Sequence, residues 1–339
     1  MLIHAILLIA MLFAIVGCCV VFTNAIEHLG KACNLNDGAV GSILAAIGTA
    51  LPETIVPLVA IIGAYFAKTS ITTGQEIGIG AILGSPFLLS TLAMFVTGAA
   101  ALIFTATGAR KALMNSDYQI VFRDLRVFII SYTVAITAGF VGSYLLKCFI
   151  AAGLLSYYLV YVFRTINRSL CDAEGGCELE ELYFQKIFKN YGLFLIILQI
   201  LLSVGALIYF SHIFVQQITY FSHVFSLNPV ILSLFLAPVA TELPEMFNSV
   251  IWTKSSKDTL ALGNITGAMV FQSCIPTSIG ILLTPWVFNF DSIISIIFVF
   301  VSSIMLLAYL KVKKRVSAGI LLACGAFYLL YALIILFKA

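Results

Sequence analysis

Thr49-Ala50-Leu51-Pro52-Glu53 and Thr241-Glu242-Leu243-Pro244-Glu245 are two copies of one pentapeptide pattern, each set inside an apolar run long enough to cross a membrane. Each copy puts a carboxylate next to a helix-breaking proline. A charged residue at the centre of a membrane helix costs about 2.5–3.5 kcal/mol on insertion scales. A chain that accepts this cost twice, in the same local sequence, uses the two carboxylates together, and their natural partner is a cation.

The rest of the chain fits a bilayer and little else. Of its 339 residues, 62% are hydrophobic and 10% are charged, whereas a soluble domain carries about 25% charged residues. Mean hydropathy is +1.11. A net charge of +3 is too small to point to nucleic acid. Cys18, Cys19, Cys148, Cys274 and Cys324 lie in apolar runs and read as small hydrophobes. Cys171 and Cys177 share a polar loop with Asp172, Glu174 and Glu178, but their spacing fits no zinc pattern. The start, Met1-Leu2-Ile3-His4, has no Lys or Arg and reads as the first membrane helix, not a signal peptide.

Hydropathy predicts an all-α polytopic membrane protein with ten spans, near 3–22, 40–66, 77–104, 126–146, 148–163, 191–211, 228–252, 259–284, 292–310 and 318–337. With the N-terminus outside, fifteen of the eighteen Lys and Arg residues fall in inner loops; Lys68, Lys147 and Lys338 are the three outside. The positive-inside rule therefore places both termini on the extracellular side of the plasma membrane. Five spans precede the 164–190 linker and five follow it, so the second half enters with reversed orientation. The chain divides into a first five-helix repeat at 1–163, a cytoplasmic linker at 164–190 and a second repeat at 191–339. Such inverted repeats are the architecture of many secondary transporters, with the substrate at mid-membrane between the halves. A second motif pair follows the first: Gly80-Ala81-Ile82-Leu83-Gly84-Ser85 and Gly263-Asn264-Ile265-Thr266-Gly267-Ala268 both contain Gly-x-Ile-x-Gly, a spacing that lets helices approach closely.

These residues suit a divalent ion. Proline cannot donate to the carbonyl four residues back, so Pro52 releases that of Gly48 and Pro244 that of Ala240. Within one turn each motif offers a carboxylate, a threonine hydroxyl and a free backbone oxygen. Calcium takes six to eight oxygens in a flexible shell, and Glu53, Glu245, Thr49, Thr241, Gly48 and Ala240 supply a set of that kind. Two carboxylates also balance a divalent charge. With the metal gone, protons or smaller cations take its place, which is the exchange of occupants an antiporter requires.

The two motif pairs, at 46–90 and 238–273, resemble the alpha repeats of the cation/calcium exchanger superfamily, and most closely its prokaryotic sodium/calcium exchanger branch. The resemblance implies calcium exchange for sodium or protons by alternating access, with no cofactor. It implies that the first and sixth helices slide across the rest. It assigns Glu53 and Glu245 to the central calcium carboxylates, Thr49 and Thr241 to oxygen donors, and Ser85 to a sodium-site serine. The chain departs from the family pattern at Ala50, Glu242, Pro86, Leu89, Ala268, Met269 and Gln272. Lost hydroxyls at 50 and 268 weaken sodium sites, and Glu242 adds a titratable group, so the sequence favours proton coupling. Glu242 either joins the site or faces elsewhere. A divergent member carrying another cation, or a passive cation pathway, are the alternatives. The implied partners are calcium, monovalent cations and the lipid bilayer; nothing specifies an oligomeric state. Enzymatic activity is not expected: there is no His-Glu-x-x-His and no Gly-x-Ser-x-Gly. Asp291 reads as a solvated loop acid, and His212 and His223 as flanking an outer loop.

Overall fold

The computed structural model describes residues 1–32, 51–66, 71–111, 114, 116–169, 181–186 and 192–338. Among these residues it contains helices and no strands. The helices are α1 (Leu2–Ala32), α2 (Pro52–Phe66), α3 (Ile71–Ala106), α4 (Tyr118–Thr137), α5 (Tyr144–Ser169), α6 (Leu193–Phe225), α7 (Pro229–Lys254), α8 (Asp258–Leu283), α9 (Phe290–Lys313) and α10 (Ala318–Lys338). Eight of them are long and apolar enough to cross a membrane. Of the other two, α2 is apolar but shorter, and α4 carries Arg123, Asp124 and Arg126. Gly48, Thr49, Ala50, Lys68, Cys171, Cys177 and most of the 164–190 linker lie outside the described residues, as does the start of the 40–66 span.

Four expectations give way, each for a visible reason. The span expected at 126–146 begins at Tyr118, because Asp117 caps it by accepting from the Gln119 N–H at 2.9 Å and because Arg123 and Asp124 neutralise each other inside the helix. The short span expected at 148–163 is a 26-residue helix from Tyr144. Its break from α4 is a 3₁₀ turn at Ala138–Phe140 followed by residues 141–143, and Lys147 is inside it, donating to the Pro285 carbonyl at 2.7 Å. The sixth helix does not stop at 211 but runs to Phe225, ending at Ser226 in the left-handed region. His212 and His223 therefore sit within it, and His212 bonds Gln216 at 3.0 Å. Asp291 is not a solvated loop acid; it lies buried in the first turn of α9.

The packing between the chain's halves is reciprocal. α1 lies along α6 and α3 along α7; α8 packs on α4 and α5, while α3 packs on α9 and α10. The first glycine motif sets the α3–α7 spacing. A Cβ at Gly80 would fall 2.5 Å from the Val230 carbonyl oxygen, and one at Gly84 would collide with the Leu234 carbonyl and the Pro238 ring. Pro238 is four residues beyond Leu234 and so removes that carbonyl's helical donor. The Ser233 hydroxyl seals the contact by donating to the Ile77 carbonyl at 2.6 Å.

Candidate cation site

Four helices, α2, α3, α7 and α8, bring three carboxyl groups and three neutral donors into one buried place. Glu53 stands in the first turn of α2. Glu242 and Glu245 are three residues apart on α7, hence on one face of it. One ligand oxygen from each of the three lies within 4.8 Å of the others. Exposure is 2% for Glu53 and 0% for Glu242 and Glu245. Three carboxylates this close repel unless a cation or protons lie between them.

Glu242 is the best supported of the three. The Gln272 side-chain amide, reaching from α8, donates to its Oε1 at 2.9 Å and its Oε2 at 3.0 Å. Thr241 donates to Oε1 at 3.4 Å and also to the Ala237 carbonyl at 3.4 Å. The Ser85 hydroxyl of α3 is a further polar neighbour. Glu53 is different: neither of its carboxylate oxygens finds a donor of good geometry among the described residues, although Glu242 and Gln272 lie alongside it. The side-chain carbonyl oxygen of Gln272 is likewise buried with no donor among the described residues. These bare oxygens are what a cation would need.

Helix breaks add backbone oxygen. Besides Pro244, which releases Ala240, Pro57 lies four residues after Glu53 and Pro276 four residues after Gln272. Each proline removes the donor for the carbonyl of a residue in the cluster. This spacing is legible in the sequence, as it is for Gly48 and Ala240. The second glycine motif contributes Asn264, whose amide donates to the Glu245 backbone carbonyl at 3.2 Å and holds α8 against α7.

Of the expected site residues, the structure thus brings together Glu53, Glu245, Glu242, Gln272, Thr241 and Ser85, with Ala240 buried one residue from Thr241. Gly48 and Thr49 fall outside the described residues. Glu242 joins the cluster and does not face elsewhere. Two buried acids escaped the sequence reading. Asp124 accepts from Arg123 Nε at 2.9 Å, the Tyr161 hydroxyl at 3.0 Å and the Thr266 hydroxyl at 3.0 Å, tying α4, α5 and α8 together. Its signal was an Arg-Asp pair flanked by apolar residues. Asp258 pairs with Arg110 across 148 positions, and no local pattern announces it.

Known proteins align with this architecture. The family model described as sodium/calcium exchanger protein matches residues 3–167 and 195–337. Inner membrane protein YrbG of Escherichia coli (strain K12) is 26% identical over 256 residues, covering 73% of this chain and 69% of that protein. Among solved structures, the fold is shared with the H+/Ca2+ exchanger CAX at a TM-score of 0.72 and 15% identity, covering 98% of this chain and 82% of that one. It is shared also with the sodium-calcium exchanger NCX_Mj at a TM-score of 0.58 and 17% identity, covering 97% of each. The chain is a multi-pass integral membrane protein and belongs to the sodium/calcium exchanger protein family, a family of cation exchangers and not of enzymes.

Proposed function

We propose that this protein is a secondary antiporter that exchanges calcium, or a related divalent cation, for protons or sodium by alternating access. The observation that carries the reading is the buried trio Glu53, Glu242 and Glu245, with ligand oxygens within 4.8 Å of one another. Calcium is the substrate, and its shell would draw on Glu53 and Glu245, the Gln272 and Thr241 side-chain oxygens, the Ala240 carbonyl and, from the segment before α2, Gly48 and Thr49. Glu242, oriented by Gln272, Thr241 and Ser85, adds negative charge at the edge of the shell. A third carboxyl group in place of neutral oxygens gives the site a proton acceptor instead of a sodium ligand, which favours the proton as counter-ion.

The ten helices form two inverted five-helix repeats on either side of the connection between α5 and α6; α5 runs to Ser169, six residues into the expected 164–190 linker. The reciprocal packing of α3 on α9 and α10, and of α8 on α4 and α5, supports this division. Lys and Arg placement puts both termini outside.

The test is calcium uptake into vesicles holding the purified protein. Uptake driven by a pH gradient, and absent with a sodium gradient alone, is the expected result. Uptake that follows the sodium gradient alone would reassign the counter-ion. Flux that runs only down the calcium gradient, without counter-transport, would replace the antiporter with a passive pathway.

A further inference from the structure

The elbow between α7 and α8 carries a buried ion pair that the cation site does not use. Arg110 Nη1 and Nη2 grip Asp258 Oδ1 and Oδ2 at 2.7 and 2.8 Å, with side-chain exposures of 1% and 0%. Arg110 Nη1 also donates to the Thr253 carbonyl at 3.0 Å. Thr253 is in the last turn of α7, and Asp258 is the first residue of α8. One guanidinium therefore spans the ends of the two helices that carry Glu242, Glu245 and Gln272.

Arg110 comes from the connection after α3, the helix that carries Ser85. Two more contacts tie this end of α3 and its connection to the adjoining ends of α7 and α8. The Asp117 N–H donates to the Thr259 hydroxyl at 2.9 Å, and the Lys254 ammonium lies over the Phe104 ring at 5.9 Å from its centroid. The elbow itself is short, three residues with Ser256 at φ 58°. The other ends of α3 and α7 are held differently. They border a cavity of about 300 Å³ lined by Thr72, Gln75, Glu76, Asn228 and Asn289. One end of the bundle is cross-tied by charge; the opposite end holds open space.

We propose that Arg110 and Asp258 form a latch that keeps the α7–α8 elbow closed beneath the acidic cluster, and that the pair parts whenever the site opens to that face of the membrane. The proposal rests on the exchanger reading above. The physical ground is the thermodynamics of buried ion pairs. A desolvated pair is nearly balanced by the hydration of its two charges, so it separates at small net cost when water reaches both partners at once. Removing one partner alone leaves a buried unpaired charge, which invites that water in. Such a pair is a joint with two acceptable states, closed and dry or open and wet. Arg110 is a positioning residue: it acts on the cation site through the ends of α7 and α8.

Cys19 supplies a reporter. It is a free thiol on α1, 1% exposed, beside Glu245 and Glu53. The full-length protein in sealed vesicles is treated from each side with a membrane-impermeant thiol reagent, and modification of Cys19 is read by peptide mass spectrometry. Arg110→Gln should raise labelling from the elbow side at least about tenfold, the equilibrium shift expected from losing charge-assisted hydrogen bonds. Arg110→Lys, which keeps the charge, should raise it less, and Asp258→Asn, which strands the same guanidinium, should raise it about as much as Arg110→Gln. Unchanged elbow-side labelling in Arg110→Gln overturns the latch. So does a rise that is equal from both sides, which marks general loosening. If Arg110→Gln does not fold, Arg110→Lys and Asp258→Asn decide: wild-type elbow-side labelling in both overturns the proposal. Labelling is read without transport, so an absence of calcium exchange would strike the antiporter reading and leave this measurement intact.

Discussion

The side-chain amide of Gln272 donates to both carboxylate oxygens of Glu242, at 2.9 and 3.0 Å, with both residues fully buried. One neutral side chain from α8 thereby fixes the direction of an acid on α7, and its own carbonyl oxygen is left without a donor among the described residues. Gln272→Ala removes both effects. A hydrogen bond to a charged group contributes about 1.5–3 kcal/mol, so calcium affinity should fall about ten- to hundredfold. Titration calorimetry on the purified protein reads this directly. Unaltered affinity would show that Glu242 and Gln272 stand apart from the ion.

Glu53 and Glu245 carry the heavier expectation. Replacing either with Gln keeps the shape and removes one of the charges that would balance a divalent ion in the proposed site. Calcium-dependent counter-transport should drop to the level of empty vesicles in Glu53→Gln and in Glu245→Gln. The proteins should still elute as folded species, because a neutral amide is easier to bury than a carboxylate. Full transport by either variant would remove that residue from the site.

The class of the fold and the two glutamates were legible in the sequence for physical reasons that act locally. A proline beside an acid in an apolar run is anomalous wherever it occurs, and two copies in one chain point at each other. Glu242 was half legible: three residues from Glu245, it had to share a face of α7, but which face met α2 and α8 depended on packing. Helix ends were read least well. The run after Ser211 contains no proline and no full charge, so hydropathy had nothing with which to extend or stop α6; the left-handed Ser226 ends it. α4 was placed too late because Arg123 and Asp124 look like loop residues until their mutual neutralisation is seen. The Arg110–Asp258 pair joins residues 148 positions apart and has no signature in either neighbourhood.

Asp124 offers a test of structure separate from transport. Its two oxygens accept from Arg123, Tyr161 and Thr266, which belong to α4, α5 and α8. Asp124→Asn keeps the size and loses the charge. The Arg123 side chain is a quarter exposed, so water recovers part of its loss. A destabilisation of about 2–3 kcal/mol follows, visible as a lower thermal midpoint in detergent. Calcium affinity should change far less than in Gln272→Ala, since Asp124 touches none of the three clustered acids. A large affinity loss at unchanged thermal midpoint would place Asp124 in the ion path instead of the frame.

The contact between α3 and α7 is the last point on which the site depends. At Gly84 a methyl group would meet the Leu234 carbonyl and the Pro238 ring at distances that real side chains do not adopt. Backbone and proline ring cannot swing aside as a flexible side chain can, so α3 must shift away from α7. Overpacking of this kind costs about 1–3 kcal/mol. It also draws Ser85, the next residue, away from Glu242. Gly84→Ala should therefore lower the thermal midpoint and weaken calcium binding together. Gly205 is the control: it lies on an exposed stretch of α6, and among the described residues no atom comes within 4 Å of where its methyl group would sit. There alanine gains helix propensity of up to about 1 kcal/mol, and neither quantity should fall. Equal behaviour of the two variants would mean that the glycine motif sets no distance on which the cation cluster relies.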